Sequence, residues 1–353
     1  MEMIHHEVSR RHFLKTGVQA AATAAAMGTG VKTAEAARPD ARKITLKDTI
    51  PSRRFGKTEY TLPILAHGGS TLWGNEAKYY RVPVPTYEAR VAMVRDAYDK
   101  GVRYFDTARI YGDSENIMGE ALKDVKDDIY LATKVMVPEP EKVRESVETS
   151  LKTLQMDRVE CVQIHGPMIE QLKFEGAMKL HAELLKLRDE GLFRFVGMTG
   201  HNAFEEMYKM IATGGFDTVL IAFGYFRRGY NTRHSEVSTE WRNNCIAKAT
   251  ELDMGILAMK VMGAWVYNHN SAQMVQGYDP AALKALPGAA IRWVLSDERV
   301  HLLNIGMSLP TDVDDCMKIL TADTKLTQSD RALLADFSAK AYMHPTIQEM
   351  PVV

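Results

Sequence analysis

Short apolar runs alternate with amphipathic stretches eight times between residues 64 and 320, and this alternation restricts the chain to a parallel-strand architecture. Strands are expected at residues 64–68, 103–106, 129–134, 159–165, 193–198, 218–222, 256–260 and 302–305. Helical periodicity fills the intervals at 86–100, 115–123, 140–154, 176–190, 203–213, 237–253, 288–296 and 311–320, and a further helix at 328–341 closes the carboxyl-terminal side. An open parallel sheet of this size leaves two edges to be managed, so the simplest solution is a single-domain α/β fold, a closed (β/α)8 TIM barrel.

Side chains alternate faces along a strand, which ties the lumen assignment to four polar residues near strand ends. With Asp106 inward, Tyr104 shares its face; with Lys134 inward, so do Ala132 and Tyr130; with His165 inward, so do Gln163 and Cys161. Three successive strands then present their last residues to the carboxyl-terminal rim, where barrel enzymes build their sites. Tyr111 follows Asp106 in the loop. Taken singly, these are an ordinary surface aromatic, strand terminus, loop histidine and cap. Together they make a proton donor: a tyrosine hydroxyl with a reference pKa of about 10 gives up its proton readily only when a cation stabilises the phenolate. Lys134 supplies that cation, Asp106 its counter-charge, and His165 is left to orient a carbonyl oxygen.

The run Gly101-Val102-Arg103-Tyr104-Phe105-Asp106-Thr107-Ala108, with Glu115 and Gly119 downstream, resembles the signature of the aldo-keto reductases, and the resemblance extends over residues 54–320. It implies a nicotinamide cofactor, NADP or NAD, extended across the barrel mouth. In place of a Gly-x-Gly-x-x-Gly fingerprint, Thr199 and Gly200 would face the carboxamide, and Lys260, Met262 and Gly263 would line the pyrophosphate. Gly306, Met307 and Ser308, with the helix starting at Thr311, would hold the adenosine end, because a helix amino terminus offers free N–H donors to phosphate. The chain departs from the family pattern at Thr199-Gly200-His201, which resembles a bacterial subgroup with a Thr-Gly-His motif, at Leu220 in place of a glutamine, and at Met259 in place of a stacking ring. Asp312, Asp314 and Asp315 stand where NADP-preferring members carry a base, and they favour a ribose hydroxyl over a 2′-phosphate.

Three loops are long for βα connections, a length typical of lids and pockets. They cover residues 70–85 with Trp73, Tyr79 and Tyr80; 224–236 with Tyr225, Phe226, Arg227, Arg228, Tyr230 and Arg233; and 263–286 with Trp265 and Tyr267. Trp73, Tyr225 and Trp265 are the expected substrate-pocket residues.

Residues 1–36 read as an export signal, with the barrel domain occupying 37–353. Ser9-Arg10-Arg11-His12-Phe13-Leu14-Lys15 has the twin-arginine pattern, a weakly apolar alanine-rich stretch follows, and Ala34-Glu35-Ala36 is a small-residue cleavage site. The stretch is shorter and softer than the roughly 20 apolar residues of a membrane span, so no stable membrane anchor is expected. Twin-arginine export machinery is the implied partner and the periplasm the implied location. The 44 basic and 45 acidic residues leave no field to recruit nucleic acid. Cys161, Cys245 and Cys316 are too far apart for a metal or dithiol motif.

The leading expectation is an NAD(P)H-dependent reductase of aldehydes or ketones, a small-molecule carbonyl being the substrate. Two alternatives stay open at this point: a cofactor-holding sensor with little turnover, and a non-redox barrel using Lys134 as a Schiff-base amine.

Overall fold

The computed structural model describes residues 39–73 and 83–353; the expected export signal, Tyr79 and Tyr80 lie outside them. Two short antiparallel strands, β1 (Ser52–Arg54) and β2 (Thr61–Pro63), precede the barrel. The eight barrel strands are β3 (Leu65–Gly68), β4 (Tyr104–Asp106), β5 (Tyr130–Val135), β6 (Val159–Ile164), β7 (Phe193–Gly200), β8 (Thr218–Ala222), β9 (Gly255–Met259) and β10 (Leu302–Gly306). All pair in parallel with their neighbours, and β10 closes on β3, with Gly306 opposite Gly68.

The strand interiors are buried, as parallel strands covered by helices require. Inside the lumen, Tyr104 stacks on Tyr130 with ring centroids 4.8 Å apart, and Tyr130 on Phe195 at 6.0 Å. Phe55, carried by the β1–β2 connection, meets Tyr104 and Tyr130 edge-on and seals the amino-terminal end. The cavity lined by the strand-end residues Asp106, Lys134 and His165 lies at the opposite rim.

Several elements differ from the sequence expectation for identifiable reasons. The helix expected at 176–190 is the second part of a longer element, Gly166–Asp189, which Lys173 breaks by leaving helical geometry (φ 57°, ψ −171°). The helix expected at 288–296 begins earlier, as Pro280–Leu295, and runs through Pro287. Asp279 secures its start by accepting from the Ala282 N–H, so the earlier turn forms despite the interior proline. The long loop expected at 263–286 is correspondingly shorter and holds a helical turn, Ser271–Met274. The remaining helices follow the expected spans within a few residues, including Gln328–Ala341, where Thr327 and Asp330 form a reciprocal capping box. Among the described residues no helix is long and apolar enough to cross a membrane.

Candidate active site

Asp106 ends β4, and its carboxylate accepts from the Lys134 Nζ of neighbouring β5 at 2.7 Å. The same ammonium donates to the Thr107 carbonyl at 2.7 Å. Gln163 Nε2 on β6 and Asn304 Nδ2 on β10 also donate to Asp106, at 3.1 and 3.3 Å. Both charged residues are 2% exposed, so the pair is held by excellent hydrogen bonding in a desolvated setting. Burial lowers the Lys134 pKa, and the charge and hydrogen bond of Asp106 work against that shift.

Lys134 Nζ lies 5.0 Å from the centroid of the Tyr111 ring, over its face. Tyr111 Oη is 3.4 Å from His165 Nε2, the two rings meeting edge to face at 5.7 Å. Gly112, at φ +55°, lets Trp73 lie against the backbone beside Tyr111; a Cβ there would come within 2.2 Å of the indole. The four residues expected to act together therefore do converge. His165 is 3% exposed, and burial, reinforced by the nearby Lys134 charge, takes its pKa down to about 3. It is a neutral imidazole at any working pH. Such a group beside a phenol that faces a cation can offer two hydrogen bonds to one oxygen.

Buried neutral histidines also predict an acid limb of stability. Burial is the leading cause that holds His67 at about 4, His165 at about 3 and His234 at about 4, against 6.5 in the unfolded chain. Below 6.5 the unfolded chain binds more protons, so stability is complete above that pH and falls as pH drops toward the folded values. Glu115 and Glu160, raised by burial, act in the opposite sense at the low end. Urea unfolding between pH 6.5 and 4.5 should therefore show a net loss of at least about 1.4 kcal/mol per pH unit. A flat profile over that window would contradict the buried neutral assignment.

A cavity of about 440 Å³ opens above the tetrad. Asp106, Tyr111, Lys134 and His165 line it, together with Trp73, Trp265, Thr199, Lys260, Met262 and Gly306. Leu220 and Met259 also line it, so one wall is apolar at the two positions that depart from the family pattern. Other expected residues lie outside the lining. Gly200 packs against Met207, where a Cβ would come within 2.2 Å of the sulfur, and Gly263 turns at φ +57° against Phe226 and Val266. Met307 is 1% exposed, within the core. Tyr225, expected in the pocket, turns away and meets the Trp293 ring edge-on at 5.5 Å; Tyr230 of the same loop lines the cavity instead.

Just before the helix Asp312–Leu320, the loop that approaches the expected adenosine end is tied to a carboxylate of the chain itself. The Ser308 and Leu309 amides both donate to Asp312 Oδ2, at 2.7 and 3.0 Å, and His269 Nε2 lies 3.2 Å from the same oxygen. The Asp312 carboxylate thus occupies the two loop amides that precede the helix. Arg292 is bound to Asp330 at 2.8 and 2.5 Å, and Lys100 to Asp314 at 2.6 Å.

Asn304 and Tyr230 are site residues that the sequence expectation left out. Asn304 had a signal, a lone amide inside the apolar strand Leu302–Gly306. Asn268 and Asn304 line the cavity, and each has a buried side-chain carbonyl without a hydrogen-bond partner. These orphaned acceptors and the apolar Leu220 and Met259 wall fit a flat heteroaromatic ring carrying an amide.

Residues 69–338 match the model of the Aldo/keto reductase family. The chain is 26% identical over 296 residues to an L-galactose dehydrogenase of Arabidopsis thaliana, covering 77% of this chain and 88% of the relative. It is 25% identical over 277 residues to the 7-acetyl-epi-neemfruitin B aldo-keto reductase of Melia azedarach, covering 70% and 77%. Its fold is similar to that of a holo-form aldo-keto reductase from Bacillus halodurans, at a TM-score of 0.60 and 19% identity, covering 82% of this chain and 96% of that one.

Proposed function

Because the chain belongs to the aldo/keto reductase family, we propose that it is an oxidoreductase moving hydride between a nicotinamide nucleotide and an aldehyde or ketone, with Tyr111 as proton donor and acceptor. The observation that carries this reading is the buried Lys134–Asp106 pair set against the face of Tyr111, with His165 Nε2 3.4 Å from its hydroxyl. When bound, the nucleotide supplies or receives the hydride. The chain's own residues handle the oxygen. Tyr111 Oη gives its proton to the carbonyl oxygen as charge develops there, and neutral His165 offers a second donor that orients the same oxygen. The Lys134 ammonium stabilises the phenolate left behind, and Asp106 keeps that ammonium in place. Trp73, Tyr230 and Trp265 narrow the mouth and help to exclude water.

Thr199, Lys260, Met262 and Gly306 are the residues of the cavity lining that would hold the nucleotide, its ring against Leu220 and Met259. Asp312 accepts from the Ser308 and Leu309 amides, and Asp314 and Asp315 share its helical turn, so a 2′-phosphate there meets repulsion. NADH should bind at least as tightly as NADPH in a tryptophan-fluorescence titration at moderate salt. Tenfold tighter NADPH binding, about 1.4 kcal/mol, would sink this assignment.

Export in a folded state through the twin-arginine route, to the periplasm, is part of the same proposal. It rests on Ser9 to Lys15 and the weak apolar stretch that follows. Replacing Arg10 and Arg11 by lysine should retain folded protein in the cytoplasm, as read by cell fractionation; undiminished export of that variant argues against the route.

A further inference from the structure

Behind the catalytic cavity lies a second one of about 240 Å³, and Tyr230, Asn231, Ala264 and Trp265 contribute to both. The dividing rings are themselves poised around a cation, Lys260 Nζ lying 5.1 Å from the Tyr230 centroid and 5.7 Å from that of Trp265. Lys260, Ala264 and Trp265 all hold positive φ, at 62°, 52° and 69°, so the backbone that carries this wall is strained.

Arg228 lines the second cavity and is 8% exposed. Its Nη2 donates to the Tyr230 carbonyl at 2.7 Å, while its buried Nε has no hydrogen-bond partner. Among the described residues no carboxylate pairs with it, and no Asp or Glu lines the cavity. Burial takes its pKa down to about 10, which still leaves a full positive charge at neutral pH. A buried guanidinium without a counter-charge is costly: Lys134 is matched by Asp106 and Arg42 by Glu160, while Arg242, the other described buried arginine that no carboxylate pairs with, bonds twice to the Asn243 side-chain oxygen. The surrounding groups are suited to an anion as well. His344 accepts from the Thr346 N–H through Nδ1, which leaves Nε2 as the ring's donor, and Asn270 lines the same space.

We infer that the second cavity seats an oxyanion carried by the substrate, with Arg228 as its binding residue, so that the enzyme acts on carbonyl compounds bearing a remote carboxylate or phosphate. The inference rests on the reductase reading above. The carbonyl would sit at Tyr111 and His165, and the substrate would pass the Tyr230 and Trp265 wall to place its charge against the guanidinium, whose planar fork suits either oxyanion.

The test compares straight-chain ω-carboxyaldehydes and ω-phosphorylated aldehydes with the n-alkanals of the same lengths, following cofactor oxidation with the intact protein. At the matching length the anionic member should show a KM at least about tenfold lower, and the carboxylate and phosphate arms identify which oxyanion is preferred. That advantage should shrink to within about twofold in Arg228→Gln and in Thr346→Glu, the latter placing a carboxylate at an exposed rim position where folding is not at risk. In parallel, glutarate titrated into the wild-type protein should change its tryptophan fluorescence, and the response should be lost in both variants. Equal or higher KM for the anionic members at every length, with no glutarate response, overturns the inference and leaves the reductase reading intact. Arg228-dependent glutarate binding with no reduction of any aldehyde has the opposite meaning: the anion seat stands and the reductase reading falls. Should Arg228→Gln not fold, the wild-type comparison and Thr346→Glu decide the matter.

Discussion

Replacing Tyr111 by phenylalanine is expected to lower carbonyl reduction by a factor of about one hundred or more, the usual scale of a lost general acid. The change removes Oη and almost no volume, and the ring keeps its edge-to-face contact with His165 and its place under Lys134. Cofactor affinity should therefore stay within a few-fold of wild type. Steady-state kinetics together with a cofactor titration separate the two effects. A variant that reduced a good substrate at more than about a tenth of the wild-type rate would remove Tyr111 from its role.

Breaking the Asp106–Lys134 pair should cost both stability and activity. Each residue is 2% exposed, and the pair shares Asp106 with the Gln163 and Asn304 amides. Asp106→Asn leaves a buried ammonium without its counter-charge, and Lys134→Met leaves a buried carboxylate with only amide donors. Either single change should lower the unfolding free energy by about 3–5 kcal/mol, since the surviving charge is stranded. The double variant Asp106→Asn/Lys134→Met strands no charge and should lose much less than the sum of the two, while remaining inactive. Urea unfolding of the three variants measures this directly. Single-variant losses under about 1 kcal/mol, or additive losses in the double, would mean that the pair is not the desolvated unit described here.

The barrel and the placing of Asp106, Lys134 and His165 were legible in the sequence because both follow from strand periodicity, whereas Tyr111, in the loop, was legible only from its nearness to Asp106 and the signature around it. Fixing Asp106, Lys134 and His165 at strand ends with period two determines that Tyr104, Tyr130 and Gln163 share the lumen, and the Tyr104–Tyr130 stack and the Gln163–Asp106 bond bear that parity out. Elements governed by other forces were not legible. Strands of three residues, such as Ser52–Arg54, carry too few positions to show alternation. Pro287 reads as a helix boundary, yet the helix Pro280–Leu295 buries Leu286, Gly288 and Ala289 and continues through it, a case of tertiary packing overriding local propensity. Loop side chains have no period at all, which is why Tyr225 and Tyr230 could not be told apart as wall and bystander. The capping of Ser308 and Leu309 by Asp312 likewise depends on one rotamer, invisible to a linear reading of three acidic residues.

The central claim is that Tyr111 and its partners protonate the oxygen of a carbonyl whose carbon receives hydride, and deuterium tracing tests it most directly. The purified protein is incubated with nicotinamide nucleotide deuterated at the transferable position and a panel of neutral and anionic aldehydes, and the products are read by mass spectrometry. The account predicts an alcohol carrying one deuterium on the carbinol carbon, formed by the wild-type chain and reduced to near background by Tyr111→Phe. Tight nucleotide binding with no deuterium in any product would contradict it and would favour a barrel that holds its cofactor without turning over.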